Sequence, residues 1–251
     1  MMESQVLPNI LETKVGEIAR LYPKTMSFFD AAGIDFCCGG KRTLETACIG
    51  KKIEPTSFAR ELNELIAQPD DEIDLKALTS LPLDQLAQHI VEKHHKYVQQ
   101  QTAELLRLTA KVSRVHGGEH PELLEVYSIF QALATELAGH MKKEELILFP
   151  WITRLAAAER GEIAYQQPPF GSLTNPIGMM EQEHDSAGDG LGRIRELTNN
   201  YVLPQGGCAS YWQMLNYLEE FEKDLHLHIH LENNVLFPSA IKMEAQIQSP
   251  S

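Results

Sequence analysis

"HMKKEELILFP" (residues 140–150) and "HIHLENNVLFP" (residues 228–238) are two copies of one phrase, H-x3-E-x3-L-F-P. In each copy the histidine and the glutamate are four residues apart, so a helix stacks them on one face, about 5–6 Å between Cβ atoms. Phe130, Leu133 and Leu137 lead into His140 and Glu144 along that face, and Leu218, Phe221 and Leu225 lead into His228 and Glu232. Two helices therefore aim an imidazole and a carboxylate at an apolar interior, where an unpaired charge costs several kcal/mol. A single H-x3-E is commonly a surface i,i+4 pair, and a single buried histidine is commonly hydrogen-bonded core. Two copies with one ending, each on an apolar stripe, point instead to metal ligation.

The surrounding chain supplies the rest of a helical bundle. Helical periodicity predicts four long helices after Leu83, at about Leu83–Val115, Pro121–Ala158, from Asn175-Pro176 to about Asn199, and Cys208–Glu244. The breaks fall in "HGGEHP", "YQQPPFGSLTNP" and "NNYVLPQGG", rich in Gly, Pro and Asn. No segment alternates like a strand, so the fold class is all-α with a four-helix bundle. On the first helix, Leu83, Ala87, Val91 and Val98 form a stripe that either His94 or His95 extends, and periodicity does not choose between them. On the third, His184 lies one turn beyond Met180. His116 closes the first helix, where an imidazolium facing the helix dipole is an ordinary alternative to ligation. His89, His120, His226 and His230 read as surface or supporting residues.

Upstream, "AQPDDEIDLKALTSLP" (67–82) loses periodicity and reads as a linker. It separates an expected N-terminal helical domain (1–68) from the bundle domain (79–245). Ile10–Ala32 reads as two short helices around Pro23, and Thr56–Ala67 as another helix carrying Phe58, Leu62, Leu65 and Ile66. Within the N-terminal domain, "DFCCGGKRTL" (35–44) sets Cys37 beside Cys38. An extended peptide link would point the two side chains apart, a poor chelate, and a vicinal disulfide departs from ordinary geometry. The Gly-Gly turn suggests accessible thiols engaged in chemistry.

Composition limits the function. The 251 residues carry 22 Lys and Arg against 35 Asp and Glu, a net charge of −13, which excludes a nucleic-acid backbone as partner. No run approaches the roughly twenty apolar residues of a spanning helix, so no membrane partner is expected. The start has an early glutamate and no unbroken apolar core, unlike a signal peptide. Four cysteines, Cys37, Cys38, Cys48 and Cys208, do not make a secreted disulfide framework, and a cytoplasmic location is expected. Several histidines with two glutamates suit imidazole-and-oxygen coordination, whereas a structural zinc site closes at four ligands, usually with thiolates. Ferritin-like sites use four carboxylates and Glu-x-x-His. Here the order is reversed and histidine outnumbers glutamate, which points to a non-haem di-iron centre of the haemerythrin kind.

Taken together, "DFCCGGKRTL", "HIVEKHHKYV", "KVSRVHG", "HMKKEELILFP", "EQEHDSAG" and "HLENNVLFP" resemble the RIC family, the YtfE/ScdA-type iron–sulfur cluster repair proteins. The resemblance runs in one order over nearly the whole chain. It implies an N-terminal domain with vicinal cysteines and a haemerythrin-like bundle holding two non-haem iron ions. The implied ligands are His95, His140, Glu144, His184, His228 and Glu232, with Glu144 and Glu232 bridging and His116 as a further histidine near one iron. The implied function is repair of iron–sulfur clusters damaged by nitric oxide or oxidants, through supply of iron. The implied partners are damaged iron–sulfur proteins, NO or O2 as small ligands, and a second copy in a homodimer. Cys37 and Cys38 would then take part in thiol exchange, iron handling or redox delivery. The competing functions are a di-iron NO reductase and a reversible O2 or NO sensor.

Overall fold

The computed structural model describes residues 9–68 and 77–248. Among them no strand is formed, and one isolated antiparallel bridge joins Lys14 to Thr43. The chain divides into two compact units, one made of residues up to Pro82 with Ile229–Ser239, the other of Leu83–His228 with the residues from Ala240 onward. Half of the expected linker, residues 69–76, lies outside the described residues.

In the first unit, α1 (Val15–Leu21) and α2 (Thr25–Ala31) flank Pro23, as the sequence predicts. A 3-10 turn (Gly39–Lys41) leads into α3 (Leu44–Gly50), a short helix that the sequence reading does not include. Its start is local chemistry: the Thr43 hydroxyl accepts the Thr46 N–H at 3.3 Å. α4 (Pro55–Ala67) begins with proline at its first position, and the Glu54 carboxylate accepts the Thr56 N–H at 3.0 Å. Val15, Ile18, Phe29, Phe36, Leu44 and Leu62 make the core. Asn234, on the Ile229–Ser239 segment, fits this unit only because two of its neighbours lack a side chain. A Cβ on Gly16 would stand 2.2 Å from its Oδ1, and one on Gly40 would stand 2.9 Å away. Its Nδ2 donates to the Phe36 carbonyl at 3.2 Å.

The second unit contains the long helices. α5 (Leu83–Ile90) continues into α6 (Lys96–His116), and α7 (Glu122–Lys143) into α8 (Phe149–Glu159). α9 (Thr174–Leu197) stands alone, and α10 (Ala209–Leu231) continues into α11 (Phe237–Gln248). α7 packs on α6 and on α9. Phe130 and Phe221 meet edge to face with centroids 5.5 Å apart, both fully buried, and each such ring contributes roughly 2 kcal/mol through burial.

Three of the junctions are single π-turns: Val91–His95, Glu144–Leu148 and Glu232–Leu236. In the second and third, the N–H of Phe149 reaches the Glu144 carbonyl and that of Phe237 reaches the Glu232 carbonyl, five residues back. The repeated Pro explains this. Pro150 and Pro238 have no N–H, and their rings would collide with the carbonyl four residues earlier, so widening the preceding turn relieves the clash. The L-F-P ending is thus the local signature of the bulge. The first π-turn contains no proline, and nothing in its sequence announces it.

Candidate metal centre

His140 lies in the last turn of α7, and Glu144 opens the π-turn beyond it. His228 lies in the last turn of α10, and Glu232 opens the next π-turn on the same continuous rod. His95 closes the first π-turn, and His184 sits in the middle of α9. All six side chains are buried, at 0–3% exposure. Their donor atoms form two overlapping groups, each within 4.8 Å: His95, Glu144, His228 and Glu232, and His140, Glu144, His184 and Glu232. Each group has its own pair of imidazoles, and both share the two carboxylates.

The distances define the convergence. Nε2 of His95 lies 3.3 Å from Glu144 Oε2, and Nε2 of His140 lies 3.3 Å from the same oxygen. The Nε2 atoms of His140 and His184 are 3.0 Å apart. The outer nitrogens face other carboxylates: Nδ1 of His95 is 2.8 Å from Glu145 Oε1, and Nδ1 of His140 is 2.8 Å from Glu183 Oε2. A carboxylate at Nδ1 keeps the proton there, which turns the Nε2 lone pair inward and raises its basicity as a ligand. Burial works against the charge of Glu183, yet Lys143 and His140 hold it below the ordinary carboxylate range. Buried two-carboxylate, four-imidazole donor sets of this kind suit a pair of divalent transition ions, since hard cations such as Mg2+ and Ca2+ prefer oxygen alone.

His94 and His95, which periodicity leaves open, are separated by the π-turn. His95 enters the donor group, whereas His94 bonds Asp224 Oδ1 through Nδ1 at 3.0 Å and stacks on His228 at 5.5 Å and 14°. His116 is not brought to the group. It lies 21 residues beyond His95, about 30 Å along the helix, with Nε2 3.1 Å from Cys208 Sγ. His230 is fully buried rather than on the surface; burial pushes its imidazole down to about 3, and Asn234 faces its Nδ1 at 3.2 Å.

The vicinal cysteines need a correction. Cys37 is buried and Cys38 half-buried, and their sulfurs lie 3.9 Å apart instead of diverging. The physical reason is the backbone: Cys38 is helical, with φ −75° and ψ −47°, not extended. Asp35 imposes that turn, its Oδ1 accepting the N–H of Cys37 at 3.0 Å and of Cys38 at 2.9 Å, and its Oδ2 that of Gly39 at 2.8 Å. Asp35, Cys37 and Cys38 consequently form a third group whose donor atoms lie within 4.8 Å. The hydrogen bond with Cys38, burial and the Asp35 charge push the Cys37 thiol well above its ordinary value. Glu145, Glu183 and Asp224 are the residues that sequence reading misses. Each sits at a spacing common on any helix surface, so no sequence signal separates them from solvated acids.

Comparison with known proteins places both halves of the chain in known domain families. The Hemerythrin HHE cation binding domain matches residues 86–240, and the ScdA_N domain, a domain of unknown function, matches residues 11–66. The iron-sulfur cluster repair protein YtfE of Pectobacterium atrosepticum is 35% identical over 93% of this chain and 98% of its own length. The protein of that name from Escherichia coli is 36% identical over 92% of this chain and 97% of its own. With both domains matched in order and such relatives aligned nearly end to end, the chain belongs to the YtfE family of iron–sulfur cluster repair proteins.

Proposed function

We propose that this protein holds two non-haem irons and repairs damaged iron–sulfur clusters by giving up iron. The observation that carries the reading is the pair of overlapping donor groups: two imidazoles per position and two carboxylates common to both. His95 and His228 would hold one ion, His140 and His184 the other, with Glu144 and Glu232 bridging. Bound there, iron supplies a redox-active centre able to take NO or O2 as a small ligand.

The remaining work falls to the residues around that centre. Glu145 and Glu183 orient His95 and His140 and hold their outer protons. His94, fixed by Asp224, sets the plane of His228, and Phe149 stacks on His95 at 5.8 Å. Glu145 is a third exposed and lines an open cleft of about 680 Å3 with Asp84, Glu92 and Phe149. Solvent and a competing chelator therefore reach a carboxylate one hydrogen bond from a ligand, which suits iron donation. Cys37 and Cys38 with Asp35 form a candidate hand-over point for iron or electrons. A homodimer in the cytoplasm, acting on iron–sulfur proteins, completes the proposal; among the described residues no helix is long and apolar enough to cross a membrane.

The test has two arms. Metal analysis with an iron spectrum should give two irons per chain in the native protein and a joint loss of both in Glu144→Ala. Protein loaded with labelled iron should pass it to an apo-cluster protein. Zinc at the site, or no transfer of label, defeats the reading. A Cys37→Ala, Cys38→Ala double variant that repairs clusters at the native rate removes the hand-over role.

A further inference from the structure

Cys208 and His116 come from different helices and meet away from the metal centre. Cys208 occupies the N-cap of α10, a helix of 23 residues, and is exposed. Its Sγ lies 3.1 Å from His116 Nε2, at the end of α6. The Tyr211 and Trp212 N–H groups donate to the Cys208 carbonyl at 3.0 Å each, which sets the first turn of the helix with the Cys208 side chain beside its free N–H groups. The His116 ring is set against Tyr211 at 5.3 Å, and His120, itself paired with Glu122 at 3.0 Å, meets the same tyrosine at 5.9 Å. Burial, then the Glu122 charge, pushes the Tyr211 hydroxyl up to about 12, so this ring is neutral. Lys111, one helix over, donates to the Ser210 hydroxyl at 2.9 Å and adds a positive charge beside the cap.

We infer that Cys208 and His116 form a reactive-thiol dyad that undergoes exchange with small disulfides and stores them as a mixed disulfide on Cys208. A thiolate is the nucleophile in such exchange. The His116 hydrogen bond first, and the N–H groups of the helix start with it, hold the Cys208 thiol below its ordinary value. Of the three other thiols, Cys37 and Cys48 are buried and both are pushed upward, Cys37 by its bond with Cys38 and Cys48 by burial. In the exchange, Cys208 Sγ attacks one sulfur of the small disulfide. The new S–S bond forms as the old one breaks, and the departing thiolate takes the proton that His116 received from Cys208. Two electrons and one proton are accounted for, and no further oxidant is needed.

The experiment uses the full iron-loaded chain with glutathione disulfide, and peptide mass spectrometry reports the adduct at each cysteine as a function of pH. Cys208 should be modified first, at a rate that levels off below the ordinary thiol range. In His116→Ala and His116→Gln that plateau should move upward and the rate at pH 7 should fall about threefold or more. Iron content and helicity should stay unchanged in both variants, since His116 stands outside the donor groups. A Cys208 rate and pH profile unaffected by either variant, or equal to those of the urea-unfolded chain, overturns the dyad. Because the readout is thiol chemistry alone, it stands or falls separately from cluster repair.

Discussion

Glu144 and Glu232 are the residues on which the centre turns, because each is a carboxylate available to both imidazole pairs. Around them, Glu145 and Glu183 act at one remove. Truncating Glu145 to alanine frees the His95 ring and lowers its basicity, so iron affinity should drop about ten- to hundredfold. Competition against a chromogenic chelator measures this, and Glu145→Gln, which keeps an acceptor but no charge, should fall between native and alanine. The cysteines separate by pH. With its thiol pushed up, Cys37 is protonated at neutral pH and gains thiolate only as pH climbs past the ordinary range near 8.5. Cys208, pushed down, should be alkylated by iodoacetamide below that range. Site-resolved mass spectrometry across pH 6–10 decides; equal rates at pH 7 contradict the assignment.

At the scale of elements, close approach and local widening do most of the positioning. α1 and the Gly39–Lys41 turn both yield room to Asn234, and a methyl group on Gly16 would overlap its amide by more than a side chain bonded to Phe36 can yield. Gly16→Ala should destabilise the protein by about 1–3 kcal/mol in urea denaturation, despite the better helix propensity of alanine. Gly50→Ala is the control: nothing lies within 4 Å of its added Cβ, so it should be neutral or slightly stabilising. The π-turns act on the ligands. One extra residue in the turn at Val91–His95 rotates α6 relative to α5, and two adjacent histidines thereby both become buried with different duties.

For the molecule as a whole, a metal held as proposed should belong to the stability of the fold. Without a cation the two shared glutamates lie buried within 4.8 Å of one another's donor groups, an arrangement that costs several kcal/mol in a low dielectric. Removing iron with a chelator should lower unfolding free energy by about 3 kcal/mol or more wherever free iron exceeds its Kd a hundredfold. Paired urea titrations of iron-loaded and stripped protein measure it, and coincident midpoints would show that the donor groups bind nothing that matters to folding. The sequence by itself determined the helical class, the order of the long helices and the shared buried face of His and Glu in the two H-x3-E copies, because a 3.6-residue period and an i,i+4 spacing are local properties. Periodicity left His94 and His95 open and the family resemblance named His95, whereas tertiary structure alone decided that His94 bonds Asp224, that His116 meets Cys208, that Glu145 and Glu183 stand against His95 and His140, and that Cys37 is buried. Each of those outcomes depends on a π-turn, a backbone dihedral or a neighbour from a distant helix, and no such quantity is written in residue spacing.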